Sequence, residues 1–158
     1  MPRSAVSSSQ GEEKDTQNPW PVALTGPLAP LSDNPLVTIV VASYNQENYI
    51  EDTIASVLNQ DYAPIEIIVI DGGSNDRTIE ILRGYDKEPR LRWYSEADNG
   101  PCDALYKGLK LANGDLIGFQ LSSDTYAPGA FQEAVQEFAT DPQLALVGGA
   151  VQEMDEQG

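Results

Sequence analysis

The sequence contains no histidine and only one cysteine. Without histidine, the chain cannot form a Ser–His–Asp or Cys–His catalytic arrangement, or a metal site with histidine ligands. The single cysteine, Cys102, excludes a disulfide within the chain and a zinc site built from several cysteines. We expect it to be a buried or half-buried, unreactive thiol.

Basic residues are also scarce, since 9 Lys and Arg stand against 25 Asp and Glu and the formal net charge is −16. Nucleic acids and anionic membrane surfaces bind basic patches, so this balance argues against both as partners. A ligand that carries phosphate needs another source of positive charge here. Divalent cations and helix N-termini are the sources that an acidic protein can offer.

Long apolar segments are absent as well. No run of about 18 apolar residues occurs, so we predict no transmembrane segment. Residues 1–15 lack the apolar core of a secretory signal peptide. These two observations predict a cytosolic (cytoplasmic) protein.

The length of 158 residues predicts one domain, because domains commonly have about 100–200 residues. Residues 1–35 are rich in Ser, Pro, Gln and Gly and show no apolar period, which predicts a flexible tail. The alternative is that residues 20–31 pack on the domain as a strap. Residues 36–151 form the predicted domain, and residues 152–158 form an acidic C-terminal tail.

The predicted domain alternates short apolar runs with segments of helical period. A continuous β-branched run at residues 36–42 and a second apolar run at residues 65–70 predict strands buried on both faces, and shorter runs predict three more strands at residues 91–95, 116–121 and 144–150. Helical spacing predicts four helices between them, at residues 49–58, 78–85, 101–112 and 128–140. This alternation predicts an α/β fold with an open, mostly parallel sheet and helices on both faces.

Polar segments follow the first four predicted strands. Ligands of open α/β sheets bind beyond the carboxyl ends of the strands, so these segments are candidates for a shared site. They begin at Ser43, Asp71, Ser95 and Ser122, and carboxylates without a local Lys or Arg partner are among their residues. The alternative, that loops are polar and that Asp and Gly favour turns, explains one or two of these ends but not all four.

The residue types in these segments suit a cation-assisted site for a diphosphate. Asp124 ends a buried strand and is a candidate ligand for Mg2+ or Mn2+, which would act as a Lewis acid on the leaving group. Asp71 can accept a hydrogen bond from a base N–H, and Gly72 and Gly73 allow a ligand to approach the backbone. Tyr44 offers an aromatic face for a base.

Four segments resemble the donor half of the family 2 glycosyltransferases: VTIVVASYNQENYIEDTIASVLNQDY, IEIIVIDGGSNDRT, SEADNGPCDALYKG and GDLIGFQLSSDTYAPGA. They occur in the family's order within residues 36–151. The resemblance implies a three-layer αβα GT-A (Rossmann-like) fold, truncated here after about five strands. It also implies a nucleoside-diphosphate sugar donor, most often a UDP-sugar, a divalent metal, and inversion at the anomeric centre.

The resemblance also implies roles for individual residues. Asp71 would bind the base, Lys107 would reach the phosphates, and Asp124 would bind the metal. The segment from Ser43 to Asn45, with Glu47, would line the nucleoside pocket. The whole implied nucleotide-sugar site consists of Ala42, Ser43, Tyr44, Asn45, Glu47, Asp71, Gly73, Ser74, Asp103, Lys107, Ser123 and Asp124.

The sequence departs from the family pattern in two respects. Ser123 stands where an aspartate is usual and Leu121 where an asparagine is usual, so we expect weaker metal binding or a metal held by Asp124, the diphosphate and water. Family members continue beyond the donor half into an acceptor site that supplies the general base. The late carboxylates Glu153, Asp155 and Glu156 lie in a polar tail and are expected to be solvated, which leaves the catalytic base unknown.

Two alternatives remain beside a glycosyltransferase that uses a glycan or other hydroxyl acceptor. One is a truncated or degenerate, non-catalytic nucleotide-sugar-binding or interaction module, for which exposed apolar surface would favour self-association. Acceptor-dependent release of UDP would separate it from an enzyme. The other is a sugar-phosphate nucleotidyltransferase. Those enzymes carry a Gly-rich basic loop after the first strand, where this chain reads Ala-Ser-Tyr-Asn-Gln-Glu from Ala42.

Overall fold

The computed structural model describes residues 30–141 and 143–153, in which four strands alternate with four helices. The elements are β1 (Val37–Ser43), α1 (Ile50–Leu58), β2 (Ile65–Asp71), α2 (Thr78–Arg83), β3 (Leu91–Ser95), α3 (Pro101–Leu111), β4 (Leu116–Leu121) and α4 (Ala130–Thr140). The four helices and the first four strands predicted from the sequence are confirmed, with shifted bounds. The predicted tails fall largely outside the described residues, and so does the alternative strap.

All four strands are parallel and form one sheet in the order β3-β2-β1-β4. The β-branched runs of β1 and β2 occupy the two central positions, where both faces of a strand are buried. The register places Val37 of β1 opposite Ile65 of β2 and Leu116 of β4. The open parallel sheet predicted from the sequence is therefore confirmed.

Helices cover both faces of this sheet, which confirms the three-layer arrangement. On one face, α1, α2 and α4 bury Ile54, Leu82 and Phe131 against the side chains of Ile39 and Ile67. On the other face, α3 packs through Ala104 against a second, smaller cluster formed by Ala42, Ile68 and Ile70. Alternate residues of β1 and β2 thus supply two separate cores.

Gly108 allows α3 to lie directly on β1. A Cβ atom at this position would collide with Cγ1 of Val40 and lie 3.3 Å from Cγ1 of Ile70. Since α3 begins where the loop after β3 ends, this close packing fixes the start of α3 beside the carboxyl ends of the strands. Cys102 in its first turn is exposed, so the expected buried or half-buried thiol is wrong.

The predicted fifth strand is also wrong. Residues 144–150 contain no strand, and Leu146 is 82% exposed. An apolar run becomes a strand only beside a hydrogen-bonding neighbour, and no described strand lies next to this one. The outer edge of β4 is unpaired within the described residues, and Ile117, Phe119 and Leu121 are exposed on one of its faces. Self-association through such surface stays a prediction.

Glu66 ties the elements together at the amino ends of the strands, away from the polar loops. Its carboxylate accepts hydrogen bonds from Thr38 Oγ1 at 2.8 Å and from Arg92 at 2.6 Å. The backbone and side-chain amides of Asn113 donate to it at 3.1 and 2.9 Å. Burial opposes ionisation, but the hydrogen bonds from Thr38 and Asn113 and the charge of Arg92 lower the pKa of Glu66 below its ordinary value.

The described residues include no helix that is both long enough and apolar enough to cross a lipid bilayer.

Replacing Gly108 with alanine should destabilise the fold. Alanine is favoured over glycine within a helix by about 1 kcal/mol. The added methyl group would nevertheless overlap Val40, and overpacking costs about 1–3 kcal/mol. Because the added Cβ would overlap Val40 Cγ1 directly, we expect a cost near the upper end of this range and a net loss of about 2 kcal/mol in the free energy of unfolding, measured by urea denaturation with circular dichroism.

The double variant Gly108→Ala/Val40→Ala tests the cause of this loss, because it removes the atom that the new methyl group would meet. Adding Gly108→Ala should cost less in the Val40→Ala background than in the wild type. A single Gly108→Ala variant as stable as the wild type would show that α3 does not lie this close to β1.

Glu66→Gln should make stability less sensitive to acid. A carboxyl group whose pKa is lowered by folding stabilises the protein above its unfolded pKa, and this contribution disappears as the pH falls through the folded pKa. We expect the variant to be less stable by about 1 kcal/mol at pH 7. The difference should shrink as the pH falls below about 4, as measured by urea denaturation at several pH values.

Glu80→Gln is the matched control, because Glu80 forms an exposed ion pair with Arg77 on α2. It should change stability little at any pH. An equal effect of both variants across the pH range would contradict a stabilising role for Glu66.

Candidate functional site

A cleft of about 440 Å3 opens at the carboxyl edge of the sheet. Pockets for small ligands commonly have volumes of about 300–1,000 Å3. The loops after all four strands contribute to its walls, as does the first turn of α3. Its lining residues are Ala42, Ser43, Tyr44, Gln46, Gly72, Asp98, Gly100, Pro101, Ala104, Leu121, Ser122 and Ser123. The strand ends identified in the sequence therefore converge on one concave site.

Ser43 and Tyr44 present two kinds of binding group to this cleft. Tyr44 is 56% exposed, so its ring is available to stack on a planar ligand. Ser43 is 3% exposed, and its Oγ has no hydrogen-bond partner among the described residues. Leaving a buried hydroxyl unpaired costs free energy, so a ligand that bonds to Ser43 would relieve this cost.

Asp71 does not line the cleft, because its carboxylate is buried in the turn after β2. Its Oδ2 accepts hydrogen bonds from the backbone of Gly73 at 3.0 Å and Ser74 at 2.9 Å, and from Ser95 Oγ at 2.7 Å. The hydroxyl of Ser74 donates to Oδ1. With 0% exposure and these four donors, Asp71 organises the turn. This geometry does not support the predicted direct contact of Asp71 with a base.

Asn45 and Glu47 join the loop after β1 to the loop after β2. Asn45 has a φ of 53°, its backbone N–H donates to Ser74 Oγ at 2.8 Å, and its Oδ1 accepts from the backbone of Asn75 at 2.9 Å. Glu47 Oε2 accepts from the backbone of Arg77 at 2.9 Å. These two predicted site residues, like Gly73 and Ser74, therefore lie outside the cleft lining and hold the loops in place.

Asp103 and Lys107 hold the loop after β3 to α3. Lys107 Nζ lies 2.9 Å from Glu96 Oε1 and 3.4 Å from Asp103 Oδ2. Asp103 Oδ2 also accepts from the backbone of Asn99 at 3.1 Å, and this bond together with the Lys107 charge lowers the pKa of Asp103. The expectation that the loop carboxylates lack a local basic partner is wrong for Glu96, which pairs with Lys107 of α3. To reach a phosphate, Lys107 would have to exchange these partners.

Asp98 lines the cleft, although it is not among the site residues predicted from the sequence. Its half-buried carboxylate accepts the backbone N–H of Gly100 at Oδ1, 2.8 Å away, and lies against Gly72. Gly100 has a φ of 105°, a left-handed conformation that favours glycine. The Asp98-Asn99-Gly100 sequence is typical of a turn, and it belongs to the polar segment after β3 that was a candidate for the shared site, but sequence alone does not show which carboxylate of that segment the turn fixes in the cleft.

Asp124 offers an unpaired carboxylate on a fixed backbone next to the cleft. Its carbonyl oxygen accepts from Thr53 Oγ1 and Gln120 Nε2, each at 2.8 Å. Its side chain is exposed and has no hydrogen-bond or ion-pair partner among the described residues, while the adjacent Ser123 lines the cleft. In the described part of the chain, no group of three or more acidic or cysteine side chains is arranged to hold a metal ion.

Solved structures that share this fold include two that contain a bound nucleotide sugar. TarS 1–349 from S. aureus, in complex with UDP-GlcNAc, superposes with a TM-score of 0.62 and 26% identity over 66% of this chain and 31% of TarS 1–349. The mannosyltransferase PcManGT from Pyrobaculum calidifontis, in complex with GDP-Man and Mn2+, gives a TM-score of 0.63 and 27% identity over 78% of this chain and 36% of its own. The fold is of the GT-A glycosyltransferase class.

The family follows from the sequence comparison. The model of "Glycosyl transferase family 2" matches residues 38–158, and the chain belongs to this family. The uncharacterized glycosyltransferase EpsJ of Bacillus subtilis is 40% identical over 72% of this chain and 33% of EpsJ. A hyaluronan synthase of Pasteurella multocida is 36% identical over 76% of this chain and 13% of the synthase. The chain thus spans a third or less of these two relatives.

Asp71→Asn should destabilise the turn after β2. The amide that replaces the carboxylate keeps one acceptor oxygen and directs an NH2 group at donors, so several of the four hydrogen bonds are lost. Hydrogen bonds to a charged group contribute about 1.5–3 kcal/mol, and we expect a loss of about 2–3 kcal/mol in the free energy of unfolding. Urea denaturation measures this loss.

Asp61→Asn is the control, because Asp61 is exposed in the segment between α1 and β2 at the opposite edge of the sheet. It should leave stability almost unchanged. An Asp71→Asn protein as stable as this control would show that the turn does not depend on the buried carboxylate.

Proposed function

We propose that this chain binds a nucleoside-diphosphate sugar, UDP-linked, in the cleft at the carboxyl edge of the sheet. In this proposal it is the donor-binding part of a glycosyltransferase that transfers the glycosyl group with inversion to an acceptor hydroxyl. The observation that carries the proposal is the convergence of four strand ends on one cleft, in a chain of glycosyl transferase family 2. Inversion rests on the resemblance to the family alone.

The residues after β1 and the first turn of α3 offer the cleft different binding groups. Tyr44 and the hydroxyl of Ser43, which no described residue pairs, suit a nucleoside, because a nucleoside needs a stacking surface and hydrogen-bond partners. The first turn of α3, with Pro101 and Ala104 in the cleft wall, suits the diphosphate, because a helix N-terminus carries partial positive charge. A helix N-terminus matters more here than in a basic protein, since Lys107 is paired with two carboxylates.

The arrangement around Asp124 fits a divalent cation that is completed by substrate. Mg2+ commonly binds one or two protein carboxylates together with phosphate oxygens and water, and Asp124 offers one unpaired carboxylate beside the cleft. Mg2+ or Mn2+ held by Asp124 would neutralise the charge that develops on the leaving diphosphate. Ser123, in the cleft wall, can donate a hydrogen bond to a phosphate oxygen but adds no negative charge.

Related proteins support a nucleotide-sugar ligand. TarS has been solved with UDP and with UDP-GlcNAc, and PcManGT with GDP-Man and Mn2+. Hyaluronan and chondroitin synthases are among the sequence relatives, which supports a role in polysaccharide biosynthesis with a glycan acceptor. A cytoplasmic location stays a prediction.

Metal-dependent binding of UDP tests the proposal directly. Calorimetry of the wild type should detect UDP and UDP-sugars in the presence of Mn2+ or Mg2+, and more weakly with EDTA. Asp124→Asn should lower the affinity measured with metal by at least about 10-fold, by analogy with the effect of disturbing a metal's protein ligands. The affinity measured in EDTA should change little, because Asp124 then contacts no metal.

The control variant is again Asp61→Asn, which removes an equal charge at the far edge of the sheet. A wild type that binds no UDP-, GDP- or dTDP-sugar with metal present would contradict the proposal. Release of UDP that depends on an added acceptor glycan would distinguish an enzyme from a non-catalytic binding module.

A further inference from the structure

We infer that Asp98 recognises the nucleobase in this cleft. Its carboxylate lies where a side chain of residue 72 would lie, and from there it accepts a hydrogen bond from a ring N–H of the base. This inference rests on the proposed function and adds a specificity-determining residue to it. The ligand chemistry is a base edge with an N–H donor, as in the imide of uracil.

The first observation is the space above Gly72. A Cβ atom built on this residue would lie 2.9 Å from Oδ2, 3.0 Å from Oδ1 and 3.1 Å from Cγ of Asp98. These three nearest atoms all belong to one carboxyl group. Asp98 therefore occupies the volume in which a side chain of residue 72 would begin, and the loop after β3 places a carboxylate directly over the end of β2.

The second observation is that a hydrogen bond holds the Asp98 carboxylate in place, while one of its oxygens can still accept another hydrogen bond. Oδ1 accepts the backbone N–H of Gly100 at 2.8 Å, whereas Oδ2 has no hydrogen-bond partner among the described residues. The backbone N–H of Glu96 donates to the carbonyl of Asp71 at 3.0 Å, and the Lys107–Glu96 ion pair ties the same loop to α3. Oδ2 is thus an acceptor on a half-buried, cleft-lining side chain, and it lies closest to the space above Gly72.

The third observation is that three neighbouring acidic side chains already have partners within the chain. Asp71 is buried under four donors, Glu47 accepts from the backbone of Arg77, and Asp103 is paired with Lys107. Among the described residues that line the cleft, Asp98 alone carries a carboxylate. It is therefore the acidic side chain in a position to contact a base without rearrangement of the loops.

A carboxylate at this position has a definite consequence for base selection. The N3 atom of uracil carries a hydrogen and donates, whereas the N3 atom of cytosine is an acceptor and would be repelled by the charge. A site that is built to bond to an N–H group discriminates strongly against an analogue that lacks it. UDP should therefore bind more tightly than CDP, and the difference should depend on Asp98.

Calorimetry with UDP and CDP in the presence of Mn2+ tests this selection in the wild type, Asp98→Asn and Asp98→Ala. Loss of one hydrogen bond to a charged group corresponds to a loss of about 10- to 100-fold in affinity for UDP. The affinity for CDP should stay the same or improve, because the repulsive charge is gone. The UDP/CDP affinity ratio should consequently fall to near one.

Glu96→Gln is the matched control, because Glu96 is an exposed acidic residue of the same loop that lies outside the cleft lining. It loosens the loop by breaking the ion pair with Lys107 and should weaken UDP and CDP to a similar extent. The UDP/CDP ratio therefore separates base recognition by Asp98 from a general effect on loop order.

Moving the carboxylate to residue 72 tests its position. Asp98→Ala clears the space above Gly72, whose φ lies outside the left-handed region, so the double variant Gly72→Asp/Asp98→Ala can carry the charge on the β2 turn instead. It should recover most of the UDP preference that Asp98→Ala loses. Gly72→Asp alone should bind poorly, because two carboxylates would compete for one space.

The outcomes distinguish this inference from the function on which it rests. A folded Asp98→Asn variant that binds UDP with the wild-type UDP/CDP ratio overturns the inference and leaves the proposed function intact. A wild type that binds neither nucleotide overturns both. Circular dichroism spectra and urea midpoints of each variant show whether a lost affinity reflects a lost fold.

Discussion

The site depends on the parallel register of β1 with its two neighbours. Ser43 lies opposite Asp71, Asp71 lies opposite Ser95, and Ala42 lies opposite Leu121, so the four strands end at nearly the same level. Because parallel strands all point the same way, the polar segments that follow them meet at one edge of the sheet. The close packing of α3 on β1 at Gly108 then adds the helix N-terminus to the same edge.

The carboxylates at this edge divide into those that build the site and those that remain available to a ligand. Asp71 and Asp103 accept hydrogen bonds within the chain and hold the loops, so their charges are compensated locally. Asp98 and Asp124 keep oxygens without partners in the described residues, one in the cleft wall and one beside it. An acidic protein can therefore present two carboxylates to a nucleotide and a cation while the others act as structural acceptors.

Much of the fold could be predicted from local sequence, because the first four strands and all four helices are short, strongly patterned segments. The fifth strand could not, since residues 144–150 have the composition of a buried strand but no strand beside them in the described residues. In the site, Ser43, Tyr44 and Ser123 line the cleft as the sequence suggested. Asn45, Glu47 and Asp71 do not, because hydrogen bonds between loops take up their side chains.

The sequence by itself determined the class of fold and the edge of the sheet at which the cleft opens. Its acidic charge also predicted that a phosphate ligand would need a cation or a helix N-terminus in place of basic side chains. Periodicity and charge are local or additive properties, so both can be obtained from the amino-acid sequence alone. Only the tertiary structure decided which carboxylates are free, because partners such as Ser95 for Asp71 and Gly72 for Asp98 lie more than twenty residues away in the chain. Whether a polar side chain binds a ligand depends on what it already touches, and those contacts form only when the loops meet.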